Sequence, residues 1–330
     1  MRARIITLVA LFATSSGVIG SPARADTAGP ERGDFRKGPP TPSGPAFSET
    51  KATGPGGQVV LKSGADEWRP VVTTGFLLWT ANSTTHPDHY DVYAKPFGRP
   101  KYKVNVTGTE GWLGDADGTR VVYQSRRSGQ SDIKFFDLST RARNNPPAGV
   151  NTRAWEWQPS VSGDWLLFNR EVGGYRGTWM IILFNLATGE KRVLDSIKHT
   201  GSWFLKAMQV NGNYAVWYRG RFTPGGDSDV YVYDIDAKTK TKVTDATWEY
   251  TPSVSSDGTV YFQRWNGKST LWQYKVSHSS TKAILHLAPD YEVSTTYPFT
   301  KSGDTYLYYD PFKRADDPEE GDIYRVKVNS

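Results

Sequence analysis

The chain has 330 residues, of which 22% are charged and 13% aromatic, with no cysteine and a formal net charge of +6. The lack of cysteine excludes a disulfide scaffold and thiolate chemistry. No block of Lys or Arg is present that would argue for nucleic acid.

Residues 1–25 read as a secretory signal peptide. Arg2 and Arg4 precede the apolar run Ile5 to Ala13, and Ala23-Arg24-Ala25 is a small-x-small cleavage site. Removing that leader takes away three arginines and no acid, so the net charge falls from +6 to +3. No other stretch reaches the length of a membrane-spanning helix. The expected destination is therefore outside the cell, or the periplasm of a Gram-negative source. Residues 26–57 are rich in Pro, Gly, Ser and charge and bury almost nothing, which predicts a flexible tether.

From Gln58 to the end the sequence repeats. Trp155-Glu156-Trp157-Gln158-Pro159-Ser160-Val161-Ser162 returns as Trp248-Glu249-Tyr250-Thr251-Pro252-Ser253-Val254-Ser255, and Glu67-Trp68-Arg69-Pro70 is a partial third copy. Units of about 41 to 52 residues fit four-stranded propeller blades. Six third strands align: Asp91-Val92-Tyr93, Asp132-Ile133-Lys134, Trp179-Met180-Ile181, Asp229-Val230-Tyr231, Leu271-Trp272-Gln273 and Asp322-Ile323-Tyr324. The units run roughly over 66–106, 110–148, 155–195, 203–245, 248–288 and 292–330. The last lacks an outer strand, while Gln58-Val59-Val60-Leu61-Lys62 is a spare strand at the front. The expected fold is all-β: one six-bladed β-propeller over 58–330, closed by the N-terminal strand completing the last blade.

The Pro159–Asp164 and Pro252–Gly258 phrases, each followed by an aromatic strand and a D-I/V-Y-type strand, resemble TolB-type (PD40) propeller repeats. The resemblance covers nearly all of 58–330 and implies six blades. The usual Ser-Pro-Asp-Gly turn lacks its proline here, and no TolB-type α/β domain precedes the propeller. The resemblance supports a fold and says little of a role.

In such a ring the loops leading into the inner strands and those joining second to third strands share one face. Alignment places Glu67, Trp68, Trp112, Glu156, Trp157, Trp203, Trp248, Glu249 and Tyr250 there, with Arg170, Arg219 and Arg264 at the ends of second strands. Ala81, Ser125 and Asp310 fall in the same second-strand column. Two readings stand side by side. The aromatics and charges surround the channel mouth and hold a protein, peptide or glycan, or they wedge between blades while Glu156 pairs with Arg170 and Glu249 with Arg264.

His86, Asp88 and His89 have metal-ligand chemistry but lack further ligands for a closed site. Asp115-Ala116-Asp117-Gly118 lacks the later oxygens of a calcium loop and reads as the turn of its repeat. Asn82-Ser83-Thr84 and Asn105-Val106-Thr107 are glycosylation sequons, meaningful only in a glycosylating source. No Gly-x-Ser-x-Gly elbow is present. The sequence thus predicts a monomeric, cofactor-free, non-catalytic binding propeller. The alternative is a uronate lyase or glycosidase using the Glu and Arg residues of the same face.

Overall fold

The computed structural model describes residues 58–61, 67–83, 89–174, 176–221, 227–243, 248–288, 291–313 and 322–328. The proposed signal peptide and tether lie outside them. The described strands form six four-stranded antiparallel sheets. From inner to outer strand, blade 1 is Glu67–Val72, Phe76–Asn82, Tyr90–Pro96 and Tyr102–Lys103. Blade 2 is Glu110–Asp117, Arg120–Arg127, Gln130–Asp137 and Arg143–Asn144. Blade 3 is Trp155–Ser162, Trp165–Val172, Thr178–Asn185 and Lys191–Lys198.

Blade 4 is Trp203–Asn211, Tyr214–Arg221, Ser228–Asp234 and Thr239–Lys242. Blade 5 is Glu249–Val254, Thr259–Trp265, Ser269–Lys275 and Ser280–His286. Blade 6 is Tyr291–Lys301, Asp304–Lys313 and Ile323–Val328, and its fourth strand is Gln58–Leu61 from the front of the chain. Gln58 lies opposite Arg325 and accepts hydrogen bonds from its guanidinium at 2.8 and 3.0 Å. The chain closes its own ring as its spare strand predicts. Each inner strand touches the next, and that of blade 6 touches that of blade 1.

The core sits in the seams between blades. One seam cluster joins Phe204, Val216 and Tyr218 of blade 4 to Val260 and Phe262 of blade 5. Another joins Leu78 and Val92 of blade 1 to Leu113 and Val121 of blade 2. The other four seams are filled in the same way. Burying a side chain such as Phe168 or Phe262 contributes about 1.5–3 kcal/mol, so alternation along each strand dictates which blades can meet.

Every inner strand carries one register break, between Trp68 and Val71, Leu113 and Asp115, Trp157 and Ser160, Ala207 and Gln209, Tyr250 and Ser253, and Val293 and Thr296. These bulges bend the strands where the ring is tightest. Gly114 occupies one of them because nothing larger fits: a Cβ there would meet the Pro159 carbonyl oxygen at 2.0 Å.

Candidate ligand-binding face and central channel

The face of interest carries the starts of the inner strands and the ends of the second strands. Antiparallel pairing sets Glu156 opposite Arg170 and Glu249 opposite Arg264. Both pairs close: Arg170 Nε donates to Glu156 Oε1 at 2.8 Å, and Arg264 donates to Glu249 Oε1 at 2.7 and 3.0 Å. Both glutamates are fully buried. Arg170 also donates to the Gly149 and Val150 carbonyls, and Thr152 donates to Glu156 at 2.7 Å. Burial pushes the Glu156 carboxyl up against the opposing pull of Thr152 and Arg170. Glu67 is also buried, opposite Ala81. Arg219 lies opposite Leu205 and reaches Asp195 at 3.4 Å. Asp310 departs from the column in which it aligns. It is buried under the blade 6 bulge and accepts from Ser294 Oγ, Thr295 N and Oγ1, and Arg69 N.

The aromatic candidates divide by depth. Trp68 and Trp112 pack on Tyr90 at the blade 1–2 seam, 5.3 and 5.6 Å between ring centroids. Trp157 meets Trp179 edge-on at 5.4 Å, and Trp179 stacks on buried His199 at 4.1 Å. Tyr250 lies in the blade 4–5 core, with Trp248 half-buried against it. Trp203 is half-buried with two guanidiniums over its ring, Arg219 at 5.1 Å and Arg221 at 4.0 Å. The indole most available to a ligand is Trp155, 41% exposed with Arg126 at 5.5 Å from its ring, although Glu156 beside it is 0% exposed. Strand alternation produces that contrast, turning one residue outward and the next inward.

His86 and Asp88 lie outside the described residues. Among those described, no group of three or more His, Asp or Glu side chains is placed to hold a metal. Asn105 is 1% exposed, and its carboxamide accepts from Val92 N and donates to Asp91 and the Thr109 carbonyl. A glycan on that sequon is incompatible with the fold.

The bulges of all six blades line a central cavity of about 40 Å³, bordered by Arg69, Gly114, Gln158, Met208, Pro252 and Thr295 among others. It is large enough for a few waters and too small for a ligand. Asp115 lines it too, which the turn assignment for Asp115–Gly118 misses: Asp115 lies inside the inner strand and is buried. It accepts a short hydrogen bond from Ser160 of blade 3. Burial raises its pKa to about 7, and that of Asp310 to about 6. Tyr297 of blade 6 reaches across to the Ala116 carbonyl of blade 2, at 3.5 Å. A larger cavity of about 350 Å³ opens on the opposite face, between blades 2 and 3. Its Asp117, Arg120 and Asp137 are already bonded to Gly163 or to neighbouring backbone and hydroxyl groups.

No family model matches the sequence, and no curated protein matches it. Similarity appears among solved structures. A prolyl endopeptidase shares 13% identity over 76% of this chain, with a TM-score of 0.49. TolB from Acinetobacter baumannii shares 12% over 81%, also at 0.49. The β-propeller domain of the trilobed protease from Pyrococcus furiosus shares 13% over 82%, again at 0.49. The chain spans 40% of the endopeptidase's length, 66% of TolB's and 85% of the Pyrococcus domain's.

Proposed function

We propose that this chain is an exported propeller that binds a protein, peptide or glycan on the face bearing Trp155 and Trp203, without chemically altering it. One observation carries the reading. Trp203 has the guanidiniums of both Arg219 and Arg221 over its ring while Trp155 stands exposed beside Arg126. Indoles left at the surface in contact with guanidiniums give a flat apolar platform with fixed polar groups at its edge, which suits a sugar ring or an extended peptide. Repeat positions that serve packing alone are instead buried, as Trp157 and Tyr250 are. The carboxylates that a lyase or glycosidase would use, Glu156 and Glu249, are sealed inside the blades in ion pairs.

The test is a Trp155→Ala/Trp203→Ala double variant screened beside the wild type on glycan and peptide arrays. Every wild-type signal should fall by about tenfold or more while the melting temperature stays within a few degrees. Signals that survive the double variant would move the binding surface elsewhere. Export is checked separately by sequencing the N-terminus of the protein from its native host, which should begin at Asp26.

A further inference from the structure

We propose that the arc of this face over blades 2 to 4 recognises a linear polyanion, a polymer carrying carboxylate or phosphodiester groups at regular intervals. The inference rests on the binding-face reading and adds the charge class to it.

Four exposed arginines lie along the arc. Arg127 ends the second strand of blade 2, and Arg153 precedes the inner strand of blade 3. Arg176 lies between the second and third strands of blade 3, and Arg221 ends the second strand of blade 4. None makes a salt bridge among the described residues. The acids of the same arc are largely matched already: Glu110 by Arg126 at 3.9 Å, Asp132 by Lys134 at 3.8 Å, and Asp229 by Lys242 at 2.9 Å. Glu171 is half-buried, with burial pushing its carboxyl up and His199 and Trp179 pulling it down, and it offsets one of the four arginines. Among the described residues of the arc, Asp227 is the exposed acid that remains, next to Arg221 through the Arg221 amide. The arc therefore presents surplus positive charge as separate points over three blades.

Guanidinium is the cation suited to this task, since its planar fork takes a carboxylate or phosphate through two parallel hydrogen bonds. Stacking on Trp203 restrains Arg221 before any ligand arrives, which lowers the ordering cost of binding. Neither cavity described above lies on the arc, so a polymer lying across it fits better than a small anion enclosed by it.

The experiment immobilises three polymers: hyaluronan for carboxylate, poly(glycerol phosphate) for phosphodiester, and dextran as the neutral control. Binding of the wild type, Arg176→Glu/Arg221→Glu and Trp203→Ala is measured at about 50 and 300 mM NaCl, across which the screening length shortens by a factor of about 2.5. Retention is expected on at least one anionic polymer and not on dextran, weakening about tenfold or more with salt and again with the double charge reversal. Preference between the two anionic polymers identifies which group is read. Equal, salt-insensitive binding to dextran that Trp203→Ala abolishes overturns the polyanion and leaves the binding face standing. Anionic binding that none of the variants disturbs lies off this face and overturns both. No retention on either anionic polymer also overturns the proposal.

Discussion

Blades 1, 3 and 5 differ from blades 2, 4 and 6 in how they turn the inner strand past the channel. In the odd blades the bulge is a residue with left-handed backbone followed by proline: Arg69 at φ 54°, Gln158 at φ 51° and Thr251 at φ 53°. In the even blades the corresponding residues are Gly114, Met208 and the pair Ser294-Thr295, none with positive φ. The hydrogen bonds across the seams alternate as well. From odd to even blades a second-strand side chain reaches the next inner strand: Thr80 accepts from Leu113 N, Asn169 from Ala207 N, and Gln263 from Val293 N. From even to odd blades the acceptors are Asp115, Gln209 and Asp310, which take Ser160 Oγ, Val254 N and Arg69 N. The ring behaves as three pairs of blades, with uncharged acceptors inside a pair and, in two of three cases, a buried carboxyl between pairs.

The largest test of that division compares glutamates at the starts of inner strands. Glu156 of blade 3 is fully buried against Arg170 at 2.8 Å, whereas the Glu110 side chain of blade 2 is 19% exposed with Arg126 at 3.9 Å. Glu156→Ala leaves a buried guanidinium without its carboxylate and should cost about 3–5 kcal/mol. Glu110→Ala should cost about 0–1 kcal/mol. Urea denaturation of the two variants reads the difference directly. Equal losses would mean that the odd blades have no special dependence on this ion pair. Trp157→Ala belongs with the first group, at about 3–5 kcal/mol, because its indole fills space beside Trp179.

The buried carboxyls give a second test through pH. Asp115 and Asp310 both sit in even blades, with pKa values raised by burial to about 7 and about 6. In the unfolded chain an aspartate titrates near 3.9. Below that pH both states hold the proton, and the stabilising contribution is fully present. As pH rises, the unfolded chain ionises first, so stability is lost progressively up to and through pH 6 to 7. The protein should be more stable at pH 5 than at pH 8, by something on the order of 4 kcal/mol. Asp115→Asn should flatten that slope, while Ser160→Ala on the neighbouring odd blade should leave a slope in place. A stability that stays flat from pH 5 to pH 8 would show that the donors around Asp310 and Asp115 hold them ionised.

The same alternation explains what could be read from the sequence. The Trp-Glu-Trp…Pro-Ser-Val phrase lies on blades 3 and 5 and in part on blade 1 and makes the repetition legible, while blade number is legible in the six third strands and closure in the spare strand at the front. The even blades lack proline at the bulge, and without that marker their alignment drifts: Glu110 falls one residue out, and Asp310 appears in a column to which it does not belong. Side-chain direction was the harder problem. Period-two alternation tells inside from outside only along an unbroken ladder, and each inner strand holds an extra residue at its bulge. Trp68, Trp157 and Tyr250 lie immediately before that break, where parity counted from the Pro-Ser-Val half gives no direction. Trp155 lies on the far side of Glu156, and its exposure follows once the pairing of Glu156 with Arg170 is known.

The smallest expected effect bears on the backbone itself. Thr251 is β-branched, sits at φ 53°, and its hydroxyl has no partner among the described residues. Its carbonyl accepts from Thr296 Oγ1, a bond that the backbone keeps whatever the side chain. Glycine at this position relieves the left-handed strain, which costs a non-glycine residue about 1–3 kcal/mol, and gives back part of it through the greater entropy of the unfolded chain. Thr251→Gly should therefore be stabilising by about 1 kcal/mol. Met208 holds the same place in blade 4 without positive φ, so Met208→Gly has no strain to relieve and should destabilise by about 1 kcal/mol. Opposite signs at equivalent positions, measured by thermal melts, would establish that the odd blades hold their channel wall under backbone strain. The same sign at both would reduce the alternation to a difference in hydrogen bonding alone.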